Sequence, residues 1–328
     1  MIHMKMYYPL SKPILLEIKK VKNILINIHR NPDLDSIGSA TALYQALIKM
    51  KKKVTLICPH EIPENFKFLK GADLVEIIDF KTWADTEVRP YETLFLILDS
   101  GSYDIVTGDK KIALPDIKKI IIDHHQTNNW KDYVSKILDI ESSSTAEVVY
   151  QILLDWGVVI DPDIATSIFA GIAGDTVFFK YEKNATKTFQ IAAELLSLGA
   201  DKNKIIEQSF DSFDFDLIQL IGEFLTKMQK GNGYIYSVLD NKTFIKFGKQ
   251  RGARETVANL FARSIKGFDF GIMAVEFEKD KFALSFRSKS TDVSILAQKF
   301  GGGGHKNAAG ATIYGNIDQV IKKIKEII

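Results

Sequence analysis

The sequence predicts an α/β protein, a doubly wound and mostly parallel sheet, followed by a smaller α+β domain at the C-terminus. Three observations carry this. Apolar runs at 24–28, 54–58, 94–98 and 120–122 are nearly continuous, as strands covered on both faces require, and helical patterns lie between them. From Tyr234 onward the apolar residues alternate in strand fashion instead, with Lys279-Asp280 as a hairpin turn. A chain of 328 residues also has two domains as its default expectation.

The elements follow in order. Pro13 to Val21 reads as a short amphipathic helix, then Ile24 to Ile28 as a strand ending in His29-Arg30-Asn31-Pro32-Asp33-Leu34-Asp35-Ser36. Pro32 excludes helix around it, and Asp35 or Ser36 can cap the next helix, Ile37 to Met50. Val54 to Cys58 is a second strand, Phe66 to Leu69 a helical turn, Leu74 to Ile78 a third strand. Leu94 to Leu98 is a fourth, ending in Asp99-Ser100-Gly101-Ser102, and Lys118 to Ile122 a fifth, ending in Asp123-His124-His125. Ser144-Thr145-Ala146-Glu147 is a capping-box pattern opening a helix to Trp156. Asp161-Pro162 opens another that runs to about Gly174, and helices follow at 188–198 and 203–210.

The domain boundaries predicted are 1–205, a linker helix within 206–232, and 233–328. The second domain has strands at 234–239, 270–277 and 282–287, helices at 254–265 and 293–300, the stretch Gly301 to Gly310, a strand, and a last helix at 317–327.

Composition narrows the function. A net charge of +2 argues against a large non-specific DNA-binding face and suits short anionic substrates. Cys58 is the only cysteine, which excludes an internal disulfide and a cysteine zinc site. No apolar run approaches the ~20 residues a membrane span needs, and Ile14-Leu15-Leu16 meets Glu17, Lys19 and Lys20 at once, unlike a signal peptide. A cytoplasmic, soluble protein is the expectation.

The chemistry gathers at strand and helix ends. An Asp and two adjacent His make poor core, so Asp123-His124-His125 reads as chemistry or as an N-capping Asp with two loop histidines. His29, Asp33 and Asp35 form either a metal-ligand grouping or a capping turn; on an extended turn, alternate residues send their carboxylates to different ions. Asp99 before Ser-Gly-Ser is weak alone. Asp175 opposes the dipole of the helix it ends, so a positive group is expected beside it. Together His29, Asp33, Asp35, Asp99, His124 and Asp175 supply mixed carboxylate and imidazole ligands for two divalent cations, which suits Mn²⁺, with Mg²⁺ or Co²⁺ as alternatives. In the second domain, Gly301 to Gly304 lets amides approach an anion closely, with His305 as a further donor, against the alternative of a flexible loop. Arg287 projects from the face opposite Phe282, Leu284 and Phe286, with Ser288 and Lys289 nearby. It is a guanidinium for phosphate or a solvated edge charge.

These motifs, in this order, resemble the DHH phosphoesterase superfamily with a C-terminal DHH-associated domain. The residues concerned are His29 to Ser39, Asp99-Ser100-Gly101, Asp123-His124-His125 with Asn128, Ser144 to Glu147, Gly174-Asp175-Thr176, Arg287-Ser288-Lys289 and Gly301 to Gly310. One departure stands out: Leu34 occupies the position between two Asp where the family commonly has Gly, so the loop is expected to adjust without loss of the metal site. By length and layout the chain is similar to bacterial oligoribonucleases (nanoRNases) that also dephosphorylate 3′-phosphoadenosine 5′-phosphate. The resemblance implies one ion on His29, Asp33 and Asp99, and another on Asp35, Asp99, His124 and Asp175, with Asp99 bridging. It implies Asp99, Asp123 and His125 as the catalytic set, with His125 by the substrate phosphate and Asp123 orienting a neighbouring ligand. Arg287, Ser288, Gly302, Gly303, Gly304 and His305 would bind substrate, in a cleft closed by the second domain.

The function so implied is a phosphohydrolase that uses a metal-bridging hydroxide on short single-stranded RNA, linear dinucleotides and 3′-phosphoadenosine 5′-phosphate. An inorganic pyrophosphatase or polyphosphatase is the enzymatic alternative, disfavoured because those relatives lack the Gly-rich His305 loop. A non-catalytic nucleotide sensor is the third reading, disfavoured because every ligand is present. A homodimer through the linker helix is left open.

Overall fold

The structure is a computed structural model that describes residues 8–83, 92–109, 111–112, 114, 116–209, 211–250 and 252–327. Within them the chain forms two compact units, residues 1–212 and 213–328.

The first unit is built on six parallel strands: β1 (Asn23–Asn27), β2 (Lys53–Cys58), β3 (Glu76–Ile77), β4 (Thr93–Leu98), β5 (Lys118–Asp123) and β6 (Ser135–Leu138). Their order across the sheet is β3-β2-β1-β4-β5-β6. β4 is buried along its whole length and β5 along all but its first residue, which is why both read as unbroken apolar runs. The chain leaves β1 toward β2 and later returns to β4 on the other side. Ile24 pairs with both Val54 and Leu94. At such a reversal the loops leaving adjacent strands diverge and open a crevice at the strands' carboxyl ends. His29 follows β1 and Asp99 follows β4, so the fold sets both at that point.

Three details differ from the sequence reading. The sheet has a sixth strand, β6, hidden in the sequence because Ser135-Lys136-Ile137-Leu138 is a short half-polar edge. The third strand shrinks to two residues, since Ala72–Leu74 takes a 3₁₀ turn. Tyr103–Thr107 is a short helix beginning just after Ser102. Phe210, the expected end of the helix at 203–210, lies outside the described residues.

The second unit has a mixed sheet of β7 (Gln229–Lys230), β8 (Tyr234–Leu239), β9 (Phe270–Glu278), β10 (Lys281–Ser288), β11 (Gly303–His305) and β12 (Ala308–Tyr314), ordered β11-β12-β10-β9-β8-β7. Phe282, Leu284 and Phe286 bury one face against Val293, Leu296, Val320 and Ile324. Met273 and Val275 bury the other against Leu220 and Phe224 of the helix Phe215–Thr226 and against Val257 and Ala262. The expected helix at 254–265 is an α-helix over Ala253–Val257 continued as a π-helix over Ala258–Ala262. No helix among the described residues is long and apolar enough to cross a membrane.

Candidate metal centre

The site starts where the ladder between β1 and β4 runs out. The buried Asn27 side chain accepts from Leu98 N at 2.8 Å and so ties the two strand ends together. Two residues on, His29 N donates to Ser36 Oγ at 3.0 Å. Asn31 takes a left-handed conformation (φ 52°), the turn that lets the chain pass through Pro32 into the next helix. That helix runs from Leu34 to Lys49, three residues earlier than expected, and its cap is Asp33, which accepts from Ser36 N at 3.0 Å. The capping role given to Asp35 or Ser36 therefore passes to Asp33. The two carboxylates diverge because Asp33 sits at the cap and Asp35 inside the first helical turn.

Leu34 is unstrained: it is the first helical residue, buried, and absent from the positive-φ set. Room for it comes from Gly174, where an added Cβ would lie 2.5 Å from that of Leu34.

Asp35 is buried and accepts from Thr145 N at 2.7 Å and Ala146 N at 2.9 Å, the first two amides of the helix Thr145–Asp155. A carboxylate at a helix N-terminus is favoured by both bonds and dipole. Thr145 also donates its hydroxyl to Asp99 Oδ1 at 2.9 Å. The capping pattern at 144–147 concealed this function: Ser144 caps Glu147 N, whereas Glu147 reaches back to Ser143 N, and Thr145 turns toward the site.

Asp99 is the centre. It lies 2% exposed. His29 Nε2 is 3.4 Å from its Oδ2, His124 Nε2 3.7 Å and His125 Nδ1 3.6 Å from its Oδ1. Asp33 Oδ2 is 3.5 Å from His29 Nε2, and Asp175 Oδ2 is 3.1 Å from His124 Nε2, so the cation expected to face Asp175 is an imidazole. The six residues read as ligands thus fall into two groupings, His29 with Asp33 and Asp99, and Asp35 with His124 and Asp175. Asp99 with His124 and His125 is a third combination.

The hydrogen bonds behind the histidines aim them. His29 Nδ1 is 2.8 Å from Arg30 O, and His124 Nδ1 is 3.2 Å from Ser142 O. A carbonyl only accepts, so Nδ1 of His29 carries the proton and its Nε2 is the atom that faces Asp33 and Asp99, while Lys183 Nζ also lies 3.3 Å from His124 Nδ1. His125 is held differently: its Nδ1 donates to Asp123 Oδ1 at 2.8 Å, and Asp123 also accepts from His124 N and Asn128 Nδ2.

The electrostatics fit divalent cations. Burial raises the Asp35 carboxyl well above its usual range, and the charges of Asp99, Asp175 and Asp33 raise it further. Burial opposes the charged form of His29, yet Asp33 and Asp99 outweigh it and raise the imidazole's pKa. His125 is pushed up to about 9: burial opposes the charge, but Asp123 and Asp99 prevail. Burial likewise opposes the charged form of His124, yet Asp175 and Asp99 outweigh it and raise that imidazole's pKa. Crowded buried carboxylates interleaved with imidazoles form a mixed O/N donor set, and ligands of this kind take divalent metals.

The wall beyond Asp175 is strained. Val177, Phe178 and Phe179 are consecutive left-handed residues (φ 48°, 54° and 63°). The turn is held by Phe178 N to Ala173 O, by Phe179 N to Thr176 Oγ1, and by Phe179 stacked on Phe189. Left-handed backbone costs an L-residue about 1–2 kcal/mol and Gly nothing. Val177→Gly is therefore expected to raise stability by about 1 kcal/mol, read as a higher urea midpoint. An unchanged or lower midpoint would show that the turn is not strained.

In the second unit, Arg287 Nε donates to Asn259 Oδ1 at 2.6 Å, and Ser288 Oγ faces Asp269 at 3.4 Å. Gly301 N and Gly302 N donate to Gln298 O and Ala297 O, and Gly303–His305 pair antiparallel with β12. An added Cβ at Gly302 or Gly304 would strike the β12 backbone at 2.1 or 2.6 Å, which accounts for glycine at both. His305 lies in β11; its side chain is outside the described residues.

Comparison with known proteins agrees with this layout. Residues 23–172 match the DHH family, N-terminal domain, and residues 231–328 match the DHHA1 domain. The chain is 27% identical to a probable bifunctional oligoribonuclease and PAP phosphatase, NrnA, of Streptococcus mutans over 92% of this chain and 93% of that one. It is 27% identical to the bifunctional oligoribonuclease and PAP phosphatase NrnA of Bacillus subtilis, over 89% of each. Among solved structures, an exopolyphosphatase-related protein from Bacteroides fragilis is similar with a TM-score of 0.89 and 27% identity, covering 97% of this chain and 94% of that one.

Proposed function

The chain belongs to the DHH family of phosphoesterases, with a DHHA1 domain behind the first, and from that premise we propose that it hydrolyses very short oligoribonucleotides and linear dinucleotides to mononucleotides and removes the 3′-phosphate of 3′-phosphoadenosine 5′-phosphate. The observation that carries the reading is Asp99, buried between two ligand groupings and in reach of three imidazoles. Relatives bearing both activities in their names, aligned over most of their length, support the substrate class.

His29, Asp33 and Asp99 would hold one divalent cation, and Asp35, Asp99, His124 and Asp175 the other, with Mn²⁺ the best match to the donor set. Such ions supply positive charge to the phosphate oxygens and lower the pKa of water. The chain's own groups do the rest. The carbonyl of Arg30 fixes the tautomer of His29, and Ser142 O and Lys183 Nζ hold the ring of His124 from its Nδ1 side. Asp123 holds the proton on Nδ1 of His125, so its imidazolium, favoured by the neighbouring carboxylates, presents Nε2–H to a substrate phosphate. In the second unit, Arg287, Gly303 and His305 would bind the nucleotide's phosphate.

The test is turnover by the purified protein with Mn²⁺ on a labelled dinucleotide, on 3′-phosphoadenosine 5′-phosphate, and on pyrophosphate and polyphosphate. Mononucleotides and adenosine 5′-phosphate are the expected products. Turnover of pyrophosphate or polyphosphate alone would replace the reading with a pyrophosphatase or polyphosphatase. Nucleotide binding without any turnover would replace it with a sensor.

A further inference from the structure

A buried cation lies behind the candidate metal centre, and the phosphohydrolase reading does not use it. Lys187 is 6% exposed and stands in the first turn of the helix Ala185–Ser197, which Asn184 caps. Local preference does not account for it: a helix dipole disfavours a cation in the first turn, and burial disfavours an ammonium anywhere. Its partners do. Lys187 Nζ donates to Ser142 Oγ at 2.6 Å and to Asp139 Oδ2 at 3.2 Å, and lies 3.8 Å from Glu147 Oε2. One cation thus faces two acidic side chains. Ser142 Oγ in turn donates to Asp139 Oδ2 at 2.7 Å, and the Tyr8 hydroxyl donates to the same oxygen at 2.6 Å. Burial opposes the charge on Asp139, yet the bonds from Tyr8, Ser142 and Lys187 outweigh it and bring its pKa down to about 2.

These groups hold the segment 139–145, whose other side faces the site. Ser142 O lies 3.2 Å from His124 Nδ1, Thr145 N and Ala146 N donate to Asp35, and Thr145 Oγ1 donates to Asp99. Three of the residues read as ligands are therefore contacted by one short stretch and the residue that follows it. Asp139 N donates to Asp123 O at 3.0 Å and ties the start of the stretch to the end of β5. Its middle is held by the start of the helix Ala185–Ser197. Lys187 takes Ser142, while Thr188 meets Ser143 Oγ at 2.8 Å and donates to Glu147 Oε1 at 2.5 Å. Ser143 Oγ also accepts from Lys183 N, and Glu147 closes the ring by accepting from Ser143 N at 3.1 Å. Ser142, Ser143, Glu147 and Thr188 are all buried, so water does not replace a bond lost from this layer.

We propose that Lys187 is a positioning residue for the second ion: by fixing Ser142 and the segment 139–145 from behind, it sets how tightly the grouping of Asp35, His124 and Asp175 holds a divalent cation, without touching that cation or the substrate. This rests on the two-ion reading above and adds to it a residue outside the ligand set.

The experiment titrates the full-length protein with Mn²⁺ and records its electron paramagnetic resonance, in which two neighbouring Mn²⁺ ions couple and an isolated ion does not. The wild type is expected to bind two ions and to give the coupled signal. Lys187→Met keeps the apolar stem and removes the ammonium. It is expected to weaken one of the two binding steps about tenfold, to leave the other near the wild-type value, and to give the isolated-ion signal where only the tighter step is saturated. Turnover of a dinucleotide should fall at that Mn²⁺ concentration and recover in excess Mn²⁺, with KM for the dinucleotide little changed. Thr188→Val cuts the ring at Ser143 and Glu147 while keeping the side-chain volume. It should weaken the same step, and it decides the matter if circular dichroism shows that Lys187→Met does not fold. Tyr150→Phe is the control: its hydroxyl donates to Glu194 and ties the same two helices farther along. That variant should lower the urea midpoint and leave both binding steps unchanged. If folded Lys187→Met or Thr188→Val keeps both affinities, or if Tyr150→Phe weakens the same step, the positioning role is overturned and the two-ion reading stands. A wild type that binds fewer than two ions overturns that reading and the proposal with it.

Discussion

Asp99→Asn is expected to reduce turnover on the order of a thousandfold or more at saturating Mn²⁺, while leaving the fold intact. The backbone makes this an unusually clean substitution. Asp99 stands at φ 51°, in the left-handed region where Asn is as comfortable as Asp, so the turn after β4 should persist. The amide oxygen can still accept from Thr145 Oγ1. What disappears is the negative charge facing His29, His124 and His125. Burial opposes that charge, but His29 and the two neighbouring histidines hold the carboxyl well below its usual range, so it is ionised at neutral pH. Asp99 is the residue both proposed ion positions share, so isothermal titration with Mn²⁺ should show weakened binding alongside lost turnover, with a urea midpoint near that of the wild type. Wild-type turnover with two ions bound would refute the bridging role, and with it the assignment of the site.

Part of this candidate site was legible because some of its residues follow strands, and strand ends are marked by an abrupt change from apolar to polar residues. His29, Asp99 and Asp123 were readable in that way. Other parts were not, for specific reasons. Thr145 was masked by a local pattern that explains a helix cap equally well; only the long-range bond to Asp99 reveals its second use. The divergence of Asp33 and Asp35 depends on where the helix starts, and a three-residue difference in that boundary turns a cap into an inward-facing carboxylate. Leu34 looked like a strain at a position expected to hold glycine. Its tolerance depends on Gly174, 140 positions away in sequence, across a contact between helices that no local pattern encodes. β6 went unseen because it is a half-polar edge, and the π segment at Ala258–Ala262 because its sequence is ordinary helix former.

The same helix contact yields the second large effect: Gly38→Val is expected to destabilise the first unit by about 3 kcal/mol and to weaken Mn²⁺ binding with it. A Cβ at residue 38 would lie 2.4 Å from Ser167 O and 2.9 Å from Gly171 N, both backbone atoms of the helix Pro162–Asp175. Neither atom can rotate away, so the helices must separate. Gly171 cannot give ground, because its own Cβ position is 2.5 Å from the Cβ of Ala146 on the third helix of the cluster. Asp35 lies one turn before Gly38, and Asp175 one turn after Gly171. Parting these helices therefore moves one ligand of the second grouping away from another, and the loss of binding should track the loss of stability. Gly38→Ala should show the same effects at a smaller size. Gly222→Ala provides the opposing case. That glycine is also within a helix, Phe215–Thr226, but nothing lies within 4 Å of an added Cβ. There the substitution should gain up to about 1 kcal/mol through helix propensity alone. Urea denaturation of the three variants, with Mn²⁺ titration of the two at residue 38, separates the terms. If Gly38→Val and Gly222→Ala shift stability in the same direction, backbone proximity is not what requires glycine at residue 38.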